Sequence, residues 1–97
     1  MLRHIVSWNY QENISQATRR DLNNYFTDAF SQLKEKIPGV LSVVVAAPPM
    51  ASSTKDLCLY AEFSDEEALK NYASHPEHQK IVKVIQENCQ DRCCVDF

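Results

Sequence analysis

The sequence predicts an α+β fold of the ferredoxin-like type, a β-α-β-β-α-β plait with a four-stranded antiparallel sheet and helices on one face. Three observations predict it. Segments of two-residue apolar period alternate with segments of three-to-four-residue period, which indicates strands and helices. Their order along the chain is that of a split βαβ plait. The length of 97 residues suits a single domain spanning residues 1–97.

The first strand and the long first helix are the clearest elements. Residues 2–10 alternate and include β-branched and aromatic side chains, so a strand is predicted. Ser15 is suited to cap a helix, and apolar residues then recur at spacings of three and four as far as Ile37. Pro38 and Gly39 end this helix, because proline disfavours helical geometry before it and glycine adopts positive φ in a tight turn.

Two strands occupy the middle of the chain. Residues 40–47 form an apolar, β-branched run, which predicts a strand covered on both faces. Residues 48–53 contain two prolines and small polar residues, which is typical of a loop. Residues 57–63 alternate again and predict the third strand.

Two helices and a last strand complete the plait. A capping box formed by Ser64 and Glu67 opens a short helix. Pro76 lacks an N–H group and is costly inside a helix, so a break is predicted just before it. A second main helix then runs to about Asn88, and residues 92–97 form the fourth strand.

The predicted sheet is apolar on both faces. Tyr60 and Cys58 point away from Leu57 and Leu59, and the second strand is apolar throughout. Two helices cover only one face of a four-stranded sheet, and an apolar face left in water marks an interface. We therefore predict a homodimer in which two sheet faces pack together about a two-fold axis.

Composition and charge exclude several partners. The net charge of −3 argues against the basic footprint of a nucleic-acid-binding protein. No apolar run approaches the roughly 20 residues needed to cross a bilayer, and residues 1–6 lack the apolar core of a signal peptide, so no membrane partner is predicted.

The four cysteines suggest a reducing, cytoplasmic environment. Cys58, Cys89, Cys93 and Cys94 have no paired Cys-x-x-Cys spacing, so we expect free thiols. Cys93 and Cys94 are adjacent and would point to opposite faces of a strand, which does not suit a shared metal ion. No metal and no cofactor are predicted.

The segment from Tyr72 to His78 holds two of the three histidines and is the first place to look for chemistry. Two caps for the helix after the break fit the sequence: Ser74 in a capping box, or His75 followed by Pro76 at the first helical position. In either arrangement His78 projects from the first turn. A neutral imidazole accepts a proton near physiological pH.

Each candidate residue has a plainer interpretation as well. His78 is either a general base or a histidine bonded to nearby backbone, and His75 is favoured as structural. His4 is either a core histidine or a ligand contact, and Tyr72 either packs in the core or offers its hydroxyl. A metal pair of His75 and His78 lacks a third ligand. Asp96 either orients a histidine or lies in water.

The chain resembles the stress-responsive A/B barrel family, known as Dabb. The resemblance covers essentially the whole chain and is carried by five landmarks in order: Arg3-His4-Ile5-Val6, Ile37-Pro38-Gly39-Val40, Glu62-Phe63, Tyr72-x-x-His75-Pro76-x-His78 and Val95-Asp96-Phe97. The family fold implies a dimeric α+β barrel, in which the sheets of two subunits face each other and each subunit has a cavity between sheet and helices.

A more distant resemblance, to plant polyketide cyclases of the olivetolic acid cyclase type, implies cofactor-free aldol chemistry. It assigns His78 as the base and Tyr72 as the residue that polarises the carbonyl. It also implies cavity positions at His4, Val6, Trp8, Leu59 and Asp96, and at Ile81 and Val82 in the helix after the motif. In the cyclase that helix carries glycines, so Ile81, Val82 and Trp8 reduce the room for a long polyketide.

The sequence thus leads to one function and two alternatives. The leading hypothesis is a protein that binds a small, largely apolar carbonyl compound and performs His/Tyr acid–base chemistry of a cyclase or isomerase type. The first alternative is a non-enzymatic, stress-related homodimer with a filled core. The second is a dimeric barrel of the antibiotic-biosynthesis monooxygenase type. An open cavity near His78 favours the first, and tight packing around Trp8 and Val82 favours a filled core.

Overall fold

A computed structural model describes residues Met1–Phe97 and has the predicted element order. Four strands and four helices follow one another along the chain: β1 Leu2–Tyr10, α1 Gln16–Ser31, α2 Leu33–Lys36, β2 Val40–Ala46, β3 Leu57–Phe63, α3 Glu66–Ser74, α4 Pro76–Asn88 and β4 Cys89–Asp96. None of the helices combines the length and the hydropathy that a membrane crossing requires.

The four strands form one antiparallel sheet in the order β2-β3-β1-β4. His4 lies opposite Ala61 on one side and Asp96 on the other. Because side chains alternate along a strand, the even-numbered residues of β1 and the odd-numbered residues of β3 share one face. The helices cover that face, and its members are buried: His4, Val6, Trp8, Tyr10, Leu57, Leu59, Ala61 and Phe63. This arrangement is the predicted ferredoxin-like plait.

The prediction of one continuous helix as far as Ile37 is wrong. The helix is interrupted at Gln32, which separates α1 from α2. The Ser31 hydroxyl donates to the Asp28 carbonyl at 2.8 Å, and Glu35 N–H donates to the Gln32 carbonyl three residues back. Serine hydroxyls that bond nearby carbonyls compete with the regular helical ladder. Ser15 caps the start of α1 as predicted, with its side chain accepting from Thr18 N–H.

Gly39 makes the turn into β2 possible. Its φ is +86°, and a Cβ at this position would meet Ala68 Cβ at 2.5 Å. Both the positive φ and the close approach of α3 require glycine. The predicted role of Gly39 is therefore confirmed, and it sets the spacing between β2 and α3.

Two predicted boundaries need correction. The fourth strand begins at Cys89, directly after α4, three residues before the predicted Arg92. Its pairing register with β1 shifts between Ser7 and Asn9, and Asp91 has a φ of +56°. Because of this irregularity, the first residues of the strand do not follow a regular two-residue alternation. The cap of α3 is Asp65, whose side chain accepts from Ala68 N–H, and not Ser64.

The second face of the sheet is covered by no part of this chain. This outer face carries a mixture of apolar and polar side chains: Arg3, Ile5, Ser7, Val44, Cys58, Tyr60, Glu62, Cys93 and Val95. Val44 is 54% exposed and Val95 57% exposed, values typical of surface residues although both are apolar. Cys93 lies on this face and Cys94 on the helix side, so their predicted opposite orientation is confirmed.

Candidate functional site

A cavity of 260 Å³ lies between the sheet and the helices. Seven of the residues predicted to form the site line it together: His4, Val6, Trp8, Leu59, Tyr72, His78 and Val82. Trp8 and Val82 narrow the space but do not fill it. Three lining residues, Ala73, Gln86 and Arg92, are exposed, so they mark the opening of the cavity to solvent.

Two residues predicted as cavity positions do not line it. Ile81 is buried in the core and borders a separate groove against α1 and α2. It lies one residue before Val82, and a step of one residue turns a helical side chain through about 100°. Asp96 lies behind His4, and its carboxylate accepts a hydrogen bond from His4 Nδ1.

The joint between α3 and α4 sets the position of the two predicted catalytic side chains. His75 is the N-cap of α4: its Nδ1 accepts from Glu77 N–H at 3.1 Å, and Pro76 follows at the first helical position. Ser74, the alternative cap, bonds instead to carbonyls of its own helix. The chain turns sharply here, so Tyr72 from α3 and His78 from α4 face each other with ring centroids 4.1 Å apart.

One nitrogen of His78 has a defined role. Its Nδ1 lies 3.2 Å from the Ala73 carbonyl oxygen. A carbonyl only accepts, so Nδ1 carries the proton, and Nε2 is the unprotonated nitrogen of the neutral ring. Burial lowers the pKa of His78 from its usual 6.5, and the nearby His4, Arg92 and His75 lower it further against the opposing Ala73 bond. The imidazole is therefore neutral, and Nε2 unprotonated, at neutral pH.

The hydroxyl of Tyr72 is the one buried side-chain polar atom in the chain that has no hydrogen-bond partner. Tyr72 is only 1% exposed, and burial raises the pKa of its phenol well above 10.0, so the group keeps its proton and acts as a donor. A buried donor without an acceptor costs about 1–3 kcal/mol. This chain therefore carries an unfavourable group on a residue that lines the cavity beside His78.

The His4 side chain is hydrogen-bonded to Asp96 on β4. Because a carboxylate accepts from Nδ1–H, the free nitrogen of the His4 ring is Nε2. The His4 ring also packs edge-on against Tyr72 at a centroid distance of 6.2 Å. Cys94 Sγ lies 3.8 Å from His4 Nδ1 and 3.7 Å from the Asp96 carboxylate. These three ligand atoms are the one group in the chain that could hold a metal ion.

The sequence reasoning missed six lining residues: Phe30, Leu69, Ala73, Ile85, Gln86 and Arg92. Helical spacing could have found some of them, since Leu69 lies three residues before Tyr72 and Ile85 three after Val82. Strand alternation could have found Arg92, because it lies two residues before Cys94 and shares its helix-facing side.

Similarity to known proteins agrees with this architecture. A dimeric protein of unknown function with a ferredoxin-like fold, from Bacteroides fragilis, is 29% identical and superposes with a TM-score of 0.92, covering 99% of this chain and 93% of that one. No curated protein matches the sequence.

Two further solved structures share the fold at low identity. A hydroxynitrile lyase from Passiflora edulis is 15% identical, with a TM-score of 0.75 over 99% of this chain and 90% of that one. A proposed antibiotic biosynthesis monooxygenase from Deinococcus radiodurans is 11% identical, with a TM-score of 0.77 over 100% of this chain and 90% of that one. At these identities the likeness concerns the fold alone.

The family itself follows from the sequence. The model of the stress responsive A/B barrel domain, Dabb, matches residues 2–97, which is nearly the whole chain. The predicted fold, the element order and the cavity between sheet and helices agree with that match. The chain belongs to the stress-responsive A/B barrel domain family.

Proposed function

We propose that this protein binds a small, largely apolar carbonyl compound in its cavity and removes a proton from the carbon next to the carbonyl. His78 Nε2 is the general base, and the Tyr72 hydroxyl donates a hydrogen bond to the carbonyl oxygen. The carbon–hydrogen bond breaks, its electron pair forms an enolate, and the proton moves to His78. The enolate then reacts in a cyclase-like or isomerase-like step that needs no cofactor.

The observation that carries the proposal is the unpaired hydroxyl of Tyr72. A ligand carbonyl would accept from it and remove the free-energy cost of a buried, unsatisfied donor. The bond would strengthen as negative charge develops on the carbonyl oxygen, and a donor fixed in a water-poor site stabilises such charge well. A neutral phenol suits this role, because its raised pKa keeps the proton in place.

The state of His78 supports its role as base. Burial, the first cause of its lowered pKa, keeps the ring neutral, and the Ala73 carbonyl holds the proton on Nδ1. Nε2 therefore carries the lone pair that a proton transfer requires. The same bond fixes the ring, whose face lies against Tyr72.

The size and lining of the cavity indicate the class of ligand. Its volume of 260 Å³ lies just below the roughly 300–1,000 Å³ typical of sites for drug-sized molecules. Nine of its 13 lining residues are hydrophobic. A compact, mostly apolar carbonyl compound fits these properties better than a long polyketide.

The chemistry is tested by following α-proton exchange in deuterated water. The wild-type protein should catalyse exchange of the α protons of a β-keto thioester, chosen from a panel of short acyl chains. His78→Ala should slow that exchange by about 10²–10⁴-fold, the usual contribution of a general base. An unchanged rate would remove His78 from the mechanism, and no exchange by the wild type with any member would contradict the proposed chemistry.

His75→Asn is the matched control. It removes a histidine three residues from His78, and asparagine is itself a good N-cap, so α4 should keep its start. His75 does not line the cavity. Exchange should therefore continue at the wild-type rate. If His75→Asn slowed exchange as much as His78→Ala does, the slower rate would be due to a disturbed joint between α3 and α4 and not to the loss of the His78 base.

We also propose that two copies pack through their outer faces. Val44, Tyr60 and Val95 support this, since exposed apolar side chains grouped on one sheet face mark an interaction surface. The similar Bacteroides fragilis protein is described as dimeric. Nucleic acid is an unsuitable partner for a chain of net charge −3. The four cysteines are free thiols, which fits a cytoplasmic protein.

Light scattering at micromolar concentration tests the dimer. The wild type should have twice the mass of one chain, and Val44→Lys should weaken association at least about tenfold, because a lysine charge would be buried in the proposed interface. Tyr25→Lys changes an exposed aromatic residue on α1 and should leave the mass unchanged. A wild-type monomer would contradict the proposal.

A further inference from the structure

The charge of the cavity differs from that of the whole protein. The chain has a net charge of −3, yet no aspartate or glutamate lines the cavity. Arg92 is the one lining residue with a permanent charge. The cavity therefore presents a fixed positive group in an otherwise acidic molecule, and an anion is the ligand that such a group attracts.

Arg92 is not used in an ion pair within the chain. The four ion pairs join other residues, and Asp96, the carboxylate on the same face of β4, is bound to His4. A guanidinium group presents five N–H donors in a planar fork that matches a carboxylate. Arg92 thus has donors available at the place where the cavity opens.

The lining is also arranged by polarity. Val6, Trp8 and Leu59 on the sheet are buried and apolar, whereas Gln86 on α4 and Arg92 on β4 are polar and exposed. Gln86 carries an amide NH₂ group, a second hydrogen-bond donor among the exposed residues that line the cavity. A ligand with an apolar body and an anionic end would match both parts of the cavity at once.

We propose that the ligand is a small organic anion, a carboxylic acid that also carries a ketone, and that Arg92 and Gln86 bind its carboxylate at the cavity opening. This inference rests on the proposed function, in which Tyr72 and His78 act on the carbonyl. The carboxylate determines which molecules bind and in which direction they enter. Charge-assisted pairing of this kind changes affinity by about ten- to one-hundredfold.

The test compares two probes that differ in charge but hardly in shape, benzoylpropionate and its uncharged amide. Calorimetry gives the dissociation constants. Trp8 is the single tryptophan of the chain and lines the cavity, so a change in its fluorescence reports that the probe is inside. The wild type should bind the acid about ten- to one-hundredfold more tightly than the amide.

Variants then assign the preference to Arg92. Arg92→Gln should reduce affinity for the acid to that for the amide and leave the amide unchanged, while Arg92→Lys keeps the charge and should retain part of the preference. Lys83→Gln removes the same charge from an exposed site on α4 outside the cavity and should have no effect. The comparison of the two probes on the wild type alone needs no variant to fold.

The outcomes separate this inference from the proposed function. Equal binding of acid and amide, with the Trp8 signal present, would overturn the anion preference and leave carbonyl binding intact. An acid preference that survives in Arg92→Gln would overturn the role of Arg92. Failure of both probes to bind would contradict both the proposed carbonyl site and the proposed binding of a carboxylate by Arg92.

Discussion

The two halves of the helical layer serve different purposes. Where α1 and α2 cover the sheet, Phe26, Leu33 and Ile37 are at most 1% exposed and pack in the core. Where α3 and α4 cover it, a cavity remains, and β4 contributes the polar residues Arg92, Cys94 and Asp96 to the same layer. The first half is packed for stability. The second half contains the cavity, and the unpaired hydroxyl of Tyr72 lies there.

Phe26→Ala should have the largest effect on the packed half. Phe26 is 0% exposed, and truncating a fully buried phenylalanine lowers the free energy of unfolding by about 3–5 kcal/mol. Urea denaturation measures this change. The neighbouring Tyr25→Ala, at a residue 38% exposed, should lose much less. Equal losses in both variants would contradict the distinction between a packed interior and a surface position on α1.

Val82→Phe should block the cavity. Val82 is half-buried and lines the cavity, so a phenyl ring there would occupy space that a ligand needs. We expect binding of benzoylpropionate to weaken at least about tenfold, which corresponds to about 1.4 kcal/mol. Calorimetry measures it, and Lys83→Phe on the exposed side of α4 is the control. Unchanged binding in Val82→Phe would mean that ligands do not use this cavity.

The pH dependence of α-proton exchange should show a smaller effect. His78 acts as a base only when unprotonated, and burial lowers its pKa from 6.5, with His4, Arg92 and His75 adding to the shift and the Ala73 bond opposing it. The rate should therefore stay level as pH falls to about 6.5 and decline only below it. A rate that falls through a pKa above the usual value would contradict a buried, neutral base.

The same group affects stability in the corresponding direction. The unfolded chain binds a proton at His78 more readily than the folded chain, because the pKa of His78 is lowered on folding. The contribution of His78 to stability is thus complete above the pKa that it has in the unfolded chain. It is lost as the pH falls through the pKa that it has in the folded chain. Denaturation midpoints measured across this range should decrease toward acid, and this part of the decrease should be absent in His78→Ala.

The sequence predicted the strands and the main helices because their signals are local. Residues 2–10 and 57–63 alternate cleanly, and both strands have the predicted bounds. The break before Pro76 was equally predictable, since proline excludes a continuing helix. The interruption at Gln32 was not, because it depends on a hydroxyl–carbonyl bond that no apolar period reveals.

The cavity lining was predictable at the positions that the family resemblance implies, with the exceptions of Ile81 and Asp96. Tyr72 and His78 meet because the joint between α3 and α4 turns, and the motif contains that whole joint. Ile81 was misplaced by one helical position. Arg92 and Gln86 were missed because the resemblance implies no cavity position at either residue, and both are exposed polar residues that no apolar pattern marks as lining.

The central claim is that the Tyr72 hydroxyl has no hydrogen-bond partner within the protein and is free to bind a ligand. Tyr72→Phe tests it most directly. The substitution removes only the unpaired hydroxyl and preserves the ring that packs against His78. Urea denaturation of the ligand-free protein should show a free energy of unfolding about 1 kcal/mol higher than the wild type, because a buried, unsatisfied donor is gone. A loss of about 1 kcal/mol or more would mean that the hydroxyl is bonded within the folded protein, and the account would be wrong.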